Sequence, residues 1–150
     1  MIEHKERPSW DQYFLNLAKE ASTRCTCPRR SCGCVIVDSR KRVVSTGYNA
    51  VPRYFPHCLD RPCGGQDFKS GEGLDVCLAI HAEQNAFLQL TSDQDNLTMY
   101  LWDCTPCFTC AKMICNSSVT RIVAPSWYEA HKTLTEPMFV RAMIQVDIMQ

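Results

Sequence analysis

Two short stretches constrain the fold of this chain more than any other feature of its sequence. They are His-Ala-Glu at 81–83 and Pro-Cys-Phe-Thr-Cys at 106–110. Together they supply one imidazole and two thiolates, which zinc prefers as ligands, and catalytic zinc sites use three protein ligands and keep a fourth position open for water. The fold is therefore expected to bring His81, Cys107 and Cys110 around one zinc ion. The carboxylate of Glu83 should lie beside the water, not on the metal.

The local spacing of these residues suits two helix starts. Cys107 and Cys110 are three positions apart, so on a helix they share one face. Pro106 suits the first turn of that helix, where its missing N–H costs nothing. His81 stands before an apolar run and is expected to begin another helix. Two helix N-termini would then direct their positive ends at one metal and favour thiolate over thiol.

The alternative is that the two stretches occur by chance and that their cysteines are ordinary buried thiols. A C-x-x-C pair alone is weak evidence in a chain with 11 cysteines. The combination is specific, because H-x-E followed by P-C-x-x-C is typical of zinc-dependent nucleobase deaminases, in which the glutamate is the general acid–base. A zinc-finger-like binding module would explain the cysteines, but it would leave Glu83 and the open zinc position without a role.

Composition limits the class of protein. The chain has 150 residues, of which 45% are hydrophobic, so we expect a single domain over 1–150 with a sizeable core. No apolar run approaches the ~20 residues of a membrane span, and the charged stretch 1–7 is not a secretory signal. We therefore expect a cytoplasmic protein, in the host cytoplasm if a phage encodes it, without a membrane partner.

Charge and cysteine content limit the partners. Basic and acidic residues number 16 each, which argues against a polynucleotide partner, because proteins that grip long nucleic acids usually carry a basic excess. An odd number of cysteines in an intracellular chain indicates metal ligands before disulfides.

The hydrophobic pattern predicts an α/β order of elements. Ser9 and Gln12 form a capping box in front of a first helix, and Pro137 is expected to break the last one. Residues 50–76 lack periodicity and are expected to be a long loop that their cysteines tie down. A mixed sheet between helices should result. The predicted strands are 35–37, 43–46, 97–102, 119–124 and 144–148, and the other helices are 81–90, 106–115 and part of 127–142.

With these features in place, the sequence resembles the deoxycytidylate (dCMP) deaminases of the cytidine deaminase superfamily, in the version encoded by bacteria and phages. The similarity runs from the first helix to about Tyr128. The resemblance implies a three-layer α-β-α sandwich with a mixed five-stranded sheet. It also implies hydrolysis of dCMP to dUMP and ammonia, which feeds dTMP synthesis. The matching residues are Gly47-Tyr48-Asn49, His57-Cys58, Cys77 to Ala86, and Pro106 to Lys112.

The resemblance further implies a second, structural zinc that orders the long loop. Four thiolates close a tetrahedral site, and such a site can hold a segment too polar to form a core. Cys25 and His57 are adjacent residues that could substitute for a ligand. The implied ligands are Cys27, Cys58, Cys63 and Cys77.

Substrate contacts follow from the same resemblance. Asn49 and Tyr128 stand at family positions that face the nucleotide. Either Arg29 or Arg30 would hold the 5′-phosphate, because a guanidinium fork matches phosphate oxygens. Whether dCMP, dCTP or both are deaminated stays open, as does the deamination of tRNA adenosine, guanine or a riboflavin precursor.

Regulation and assembly are also implied by the resemblance. In relatives, the stretch corresponding to Gly47, Tyr48 and Ala50 lies near a regulatory nucleotide site, which dCTP activates and dTTP inhibits. The family glycine of this stretch is Ala50 here, which bears on the detailed contacts. Mg²⁺ would accompany a regulatory triphosphate. Family members are commonly homohexamers.

Overall fold

The computed structural model describes residues 5–91 and 94–150, so residues 1–4 of the charged N-terminal stretch lie outside the described residues. The elements follow the predicted order. In the described part of the chain, every helix is too short or too polar to cross a membrane. The elements are α1 (Trp10–Ser22), β1 (Gly33–Val37), β2 (Val43–Tyr48), α2 (Ala82–Gln89), β3 (Leu97–Trp102), α3 (Phe108–Cys115), β4 (Val119–Ala124), α4 (Lys132–Arg141) and β5 (Gln145–Ile148).

The five strands form one mixed sheet in the order β2-β1-β3-β4-β5. β1 pairs antiparallel with both β2 and β3, whereas β3, β4 and β5 run parallel. The hairpin between β1 and β2 turns at Asp38, whose carboxylate accepts hydrogen bonds of 2.9 Å from the backbone N–H groups of Arg40 and Arg42. Parallel neighbours need crossover connections, and α3 and α4 supply them.

Helices cover both faces of the sheet, which confirms the predicted three-layer α-β-α sandwich. On one face, Phe14 of α1 packs in a buried cluster with Tyr100 of β3. On the other face, Ala86 of α2 and Ile114 of α3 share the larger core with Met99. Successive strand residues point to opposite faces, so a central strand covered on both sides is apolar throughout. All five residues of β1 are buried in this way.

Helix α1 begins at the predicted cap. The hydroxyl of Ser9 accepts a hydrogen bond of 3.1 Å from the backbone N–H of Gln12. The side chain of Gln12 donates to Asn16 at 2.9 Å, one turn further along α1. The Ser9 cap is therefore confirmed, but the Gln12 side chain bonds to Asn16 on the exposed side of the helix and not back to Ser9.

Two prolines contradict the sequence-based expectation. Pro106 is not in the first turn of α3, because the helix begins at Phe108 with Cys107 as its N-cap. Pro106 therefore shapes the entry to the helix, where its missing N–H is equally harmless. The predicted break at Pro137 is also wrong, since α4 runs through it. Pro137 cannot donate one backbone hydrogen bond of the helix. Burial of Phe139 in the core stabilises the helix despite this loss.

The segment between β2 and α2 is a long loop of turns, as predicted. Its base is closed by two backbone hydrogen bonds between Ala50 and Ile80, of 3.1 Å and 2.8 Å. Arg29 ties the loop further along, because its guanidinium donates to the carbonyls of Gly65 at 2.6 Å and of Lys69. The loop supplies part of the lining of the pocket in which α2 and α3 begin.

Candidate active site

The three predicted metal ligands meet at one point. Nδ1 of His81 lies 3.4 Å from Sγ of Cys107 and 3.3 Å from Sγ of Cys110. All three atoms lie within 4.8 Å of one another, and no other group of three possible ligands does so in residues 5–91 and 94–150. One imidazole and two thiolates form a set that zinc accepts, and three ligands match a catalytic site. The residues therefore fit a zinc ion that keeps a position for water.

Two helix starts bring these ligands together. His81 is the N-cap of α2, and its backbone N–H donates to the side chain of Gln84 at 2.8 Å. Cys107 is the N-cap of α3 in an extended conformation (φ −69°, ψ 169°), and Cys110 lies in the first turn. The positive ends of both helices therefore meet at the cluster, where they favour deprotonated thiols.

Contacts among these three side chains shift their pKa values, and a bound metal would replace those contacts. A hydrogen bond with Cys110 lowers the pKa of Cys107, and the same contact raises the pKa of Cys110. The contact with Cys107 raises the pKa of His81. Zinc ligands must be deprotonated, so binding of the ion would release these protons.

Glu83 lies beside the cluster without belonging to it. It stands in the first turn of α2, is only 7% exposed and lines the same pocket as His81 and Cys107. Burial raises the pKa of its carboxyl group. A carboxylate of raised pKa exchanges protons more readily near neutral pH, which is what a general acid–base requires. The location of Glu83 is compatible with a general acid–base, and this role stays a prediction.

Two asparagines hold the backbone around the pocket. The side chain of Asn49 accepts a hydrogen bond from the N–H of Cys32 at 2.9 Å and donates to the carbonyl of Arg30 at 2.8 Å. Asn85 of α2 donates to the carbonyl of Tyr48 at 2.8 Å. Asn49 lines the pocket, but its amide is engaged in these backbone contacts, and its contact with a nucleotide stays a prediction.

The two arginines predicted as alternatives for the phosphate have different partners. The guanidinium of Arg29 donates hydrogen bonds to backbone carbonyls of the long loop. Arg30 donates to Asp103 at 2.8 Å and to the hydroxyl of Ser70 at 3.1 Å, and its guanidinium lies 4.8 Å from the ring centroid of Tyr128. Both arginines line the pocket, Arg30 is paired with the carboxylate of Asp103, and the contact of either one with a phosphate stays a prediction.

His131 is a pocket residue that the sequence analysis missed. Its Nδ1 accepts a hydrogen bond of 2.9 Å from the backbone N–H of Phe108, and its ring centroid lies 4.8 Å from that of Tyr128. The hydroxyl of Tyr128 in turn lies 3.2 Å from that of Ser70. The sequence signal was slight, since His131 simply follows Tyr128 by three positions in a chain with four histidines.

The cysteines predicted for a second zinc lie in one region, but less tightly than the first set. They are Cys27, Cys58, Cys63 and Cys77. Cys63 lies near Cys58 and Cys77, and Cys27 is near enough to raise the pKa of Cys58, although burial is the largest cause of that rise. No three of these sulfur atoms lie within 4.8 Å of one another. Cys25 donates to the carbonyl of Arg30 at 2.9 Å, and His57 is exposed.

The stretch predicted to be regulatory packs against α2. A Cβ atom added to Gly47 would lie 2.2 Å from the carbonyl oxygen of Ala82. The carbonyl of Tyr48 accepts the hydrogen bond from Asn85, and Ala50 closes the base of the long loop. These contacts connect the stretch to the helix that begins at the ligand cluster, and its regulatory role stays a prediction.

The ligand cluster lies within the part of the chain that is similar to a known protein family. Residues 8–126 match the family model described as the cytidine and deoxycytidylate deaminase zinc-binding region. The chain is 40% identical over 124 residues to the deoxycytidylate deaminase of Saccharomyces cerevisiae, covering 81% of this chain and 39% of that protein. It is 38% identical over 129 residues to the deoxycytidylate deaminase of Mycobacterium phage D29, covering 79% of this chain and 96% of that protein. The chain thus spans about two fifths of the yeast relative and nearly all of the phage relative.

Solved structures show the same fold. The dCMP deaminase of cyanophage S-TIM5, determined with dCMP and dUMP, superposes with a TM-score of 0.75 at 20% identity and covers 97% of this chain and 100% of that chain. The RibD protein of Acinetobacter baumannii superposes with a TM-score of 0.63 at 22% identity over 93% of this chain and 35% of that chain. At these sequence identities the similarity shows a shared fold and does not identify the substrate.

Proposed function

The chain belongs to the cytidine and deoxycytidylate deaminase family, and from this premise we propose that it catalyses the zinc-dependent hydrolytic deamination of dCMP to dUMP and ammonia. The observation that carries the proposal is the convergence of His81, Cys107 and Cys110 beside the buried carboxylate of Glu83. The yeast and phage relatives support dCMP as the substrate, because both are named deoxycytidylate deaminases.

In this proposal Glu83 carries the protons of the reaction. When bound by its three ligands, zinc supplies a Lewis acid that lowers the pKa of a water molecule toward about 7. Glu83 takes a proton from the attacking water and delivers it to N3 of the cytosine ring. The water oxygen attacks C4, and Glu83 then takes the remaining proton from that oxygen and passes it to the amino group, so that the C4–N bond breaks and ammonia leaves. Burial of Glu83 limits the access of bulk water to these transfers.

Two alternatives retain this chemistry and change the substrate. In the first, the enzyme deaminates dCTP, either together with dCMP or in its place. In the second, the substrate is tRNA adenosine, guanine or a riboflavin precursor. The balance of 16 acidic and 16 basic residues counts against tRNA, whose binding depends on a basic surface. A zinc-binding module without activity is less consistent with the buried carboxylate of Glu83, which lies outside the group of three possible ligands.

We further propose a structural zinc held by Cys27, which precedes β1, and by Cys58, Cys63 and Cys77 of the long loop. Burial is the largest cause of the raised pKa of Cys58, and the nearby Cys63, Cys27 and Cys77 add to it; this proximity supports the assignment. A metal there would explain how a loop with neither helix nor strand keeps a defined shape.

Regulation and assembly complete the proposal. dCTP would activate and dTTP would inhibit, with Mg²⁺ accompanying the triphosphate, at the stretch that includes Gly47, Tyr48 and Ala50. The packing of this stretch on α2 supports the idea, because a ligand there would act on the helix that carries Glu83. A homohexamer is proposed from the family resemblance. The dUMP product would serve dTMP synthesis.

The first experiment measures ammonia release from the purified protein with dCMP, alone and with dCTP or dTTP, together with zinc content. Turnover of dCMP that rises with dCTP and falls with dTTP, at two zinc ions per chain, is the expected result. Turnover without a nucleotide response would retain the enzyme and reject the regulation. Absence of turnover with zinc bound would reject dCMP, and dCTP and other bases would then be tested.

A further inference from the structure

His131 is held in one orientation and one tautomer by the start of helix α3. Its Nδ1 accepts the hydrogen bond from the N–H of Phe108, the first residue of the helix. A neutral imidazole that accepts at Nδ1 carries its proton on Nε2. His131 therefore presents a fixed N–H donor on the opposite edge of its ring.

That edge borders the pocket. His131 is among the lining residues, and a Cβ atom added to Gly71 would lie 3.7 Å from its Nε2 and 2.7 Å from the hydroxyl of Tyr128. None of the described residues accepts a hydrogen bond from Nε2, whereas Nδ1 is occupied by Phe108. A donor at a pocket wall without a protein acceptor is available to a ligand.

The neighbours of Nε2 are suited to an anion. The hydroxyl groups of Ser70 and Tyr128 lie 3.2 Å apart, and the guanidinium of Arg30 stacks over the Tyr128 ring. Hydroxyl, guanidinium and imidazole N–H groups are the donors that phosphate oxygens accept. In a nucleotide whose base faces the zinc ligands and Glu83, the phosphate must find donors elsewhere in the pocket, and this group provides them.

We propose that His131 is a specificity-determining residue, whose Nε2–H donates a hydrogen bond to the 5′-phosphate of the nucleotide. The inference rests on the proposed deamination of dCMP and adds the residue by which the enzyme distinguishes a nucleotide from a nucleoside. It also links the phosphate to the zinc site, because the same imidazole holds the N–H that follows Cys107.

Two substitutions separate the two edges of the ring. In His131→Asn the amide oxygen can take the place of Nδ1 and accept from Phe108, but the donor at Nε2 is lost. In His131→Gln the amide nitrogen can take the place of Nε2, but the acceptor for Phe108 is lost. Deamination of dCMP and of deoxycytidine is measured for the wild type and both variants, with zinc content as the check on the metal site.

His131→Asn should lower kcat/KM for dCMP about 10- to 100-fold, the value of one hydrogen bond to a charged group. Its kcat/KM for deoxycytidine should stay within about twofold of the wild type, and His131→Gln should keep the wild-type ratio of the two substrates. The inference is wrong if His131→Asn keeps the dCMP preference, or if both variants lose activity on both substrates equally. A wild-type enzyme inactive on dCMP would instead reject the proposed function itself, and this inference with it.

Discussion

Gly47 of β2 lies so close to Ala82 of α2 that any side chain at position 47 would displace the helix. An added Cβ would lie 2.2 Å from the Ala82 carbonyl oxygen and 2.5 Å from the backbone nitrogen of Ala86. Ala82 stands between His81 and Glu83, so this contact sets how far the zinc ligand and the carboxylate lie from the sheet. The glycine is thus required by packing against backbone, which cannot move aside as a flexible side chain can.

Gly47→Ala should therefore damage both stability and activity. Overpacking usually costs about 1–3 kcal/mol, and the contacts here are to backbone atoms, so we expect the free energy of unfolding to fall by at least this amount. Urea unfolding and turnover of dCMP are the measurements. Gly64→Ala is the matched control, because its Cβ would meet Val76 at an ordinary 3.4 Å. An unchanged unfolding midpoint in Gly47→Ala would contradict the packing argument.

Glu83→Gln should abolish turnover and leave the metal in place. The amide has nearly the same shape but cannot exchange protons, and general acid–base catalysis is worth about 10²–10⁴-fold. Zinc content and thermal stability should match the wild type, since Glu83 is not among the three clustered ligands. The exposed Glu129, changed to glutamine, serves as the control. Wild-type activity in Glu83→Gln would remove this residue from the mechanism.

Cys27→Ser should lower thermal stability and remove one zinc ion per chain. The reason is that a structural zinc contributes directly to the free energy of folding. Cys25→Ser is the informative control, because the Cys25 thiol already donates to the carbonyl of Arg30. Metal analysis and thermal unfolding distinguish them. Loss of zinc in Cys25→Ser, with Cys27→Ser unaffected, would transfer the ligand role to Cys25.

Arg29→Ala should loosen the long loop. The guanidinium donates to carbonyls of Gly65, Lys69 and Glu72, and losing these hydrogen bonds should speed amide exchange in residues 65–77 by about tenfold. Hydrogen exchange followed by mass spectrometry provides the measurement, and the exposed Arg53, changed to alanine, is the control. If exchange were unchanged and only the KM for dCMP rose, Arg29 would be a phosphate ligand instead.

Asp11→Asn should reduce stability in a manner that depends on pH. Hydrogen bonds from Arg121, of 2.7 and 2.8 Å, lower the pKa of Asp11, and a further bond from Tyr100 acts in the same direction. A carboxylate whose pKa is depressed by folding adds stability above its unfolded pKa of about 3.9, and that stability disappears as the pH falls through the folded pKa.

At pH 7 the Asp11→Asn variant should unfold with a free energy lower by about 0.5–1 kcal/mol, a modest value because the ion pair is partly exposed. The difference from the wild type should shrink below about pH 4. Urea unfolding at several pH values tests this, with the exposed Glu20 on the same helix, changed to glutamine, as the control. A difference that stays constant down to pH 3 would show that the charge of Asp11 is not the cause.

The ligand cluster could be predicted from the sequence because its geometry is largely local. His81 and Cys107 are N-caps, and Cys110 follows within one helical turn, so each half of the site is determined by a few neighbouring residues. The order of elements was predictable for the same reason, since periodicity reports which face of an element is buried. The prolines were harder, because the burial of Phe139 and the position of the α3 cap depend on packing elsewhere in the chain.

The order of residues along the chain was therefore enough to predict the cluster of one imidazole and two thiols, the carboxylate beside it and the mixed sheet between helices. The surroundings of that cluster depend on how distant parts of the chain pack together. This packing turned Arg29 toward the loop backbone and Arg30 toward Tyr128, and it brought His131 to the start of α3. These contacts join residues far apart in the chain. Their partners are chosen by how the long loop and α4 pack on the sheet, and no local spacing of residues encodes that choice.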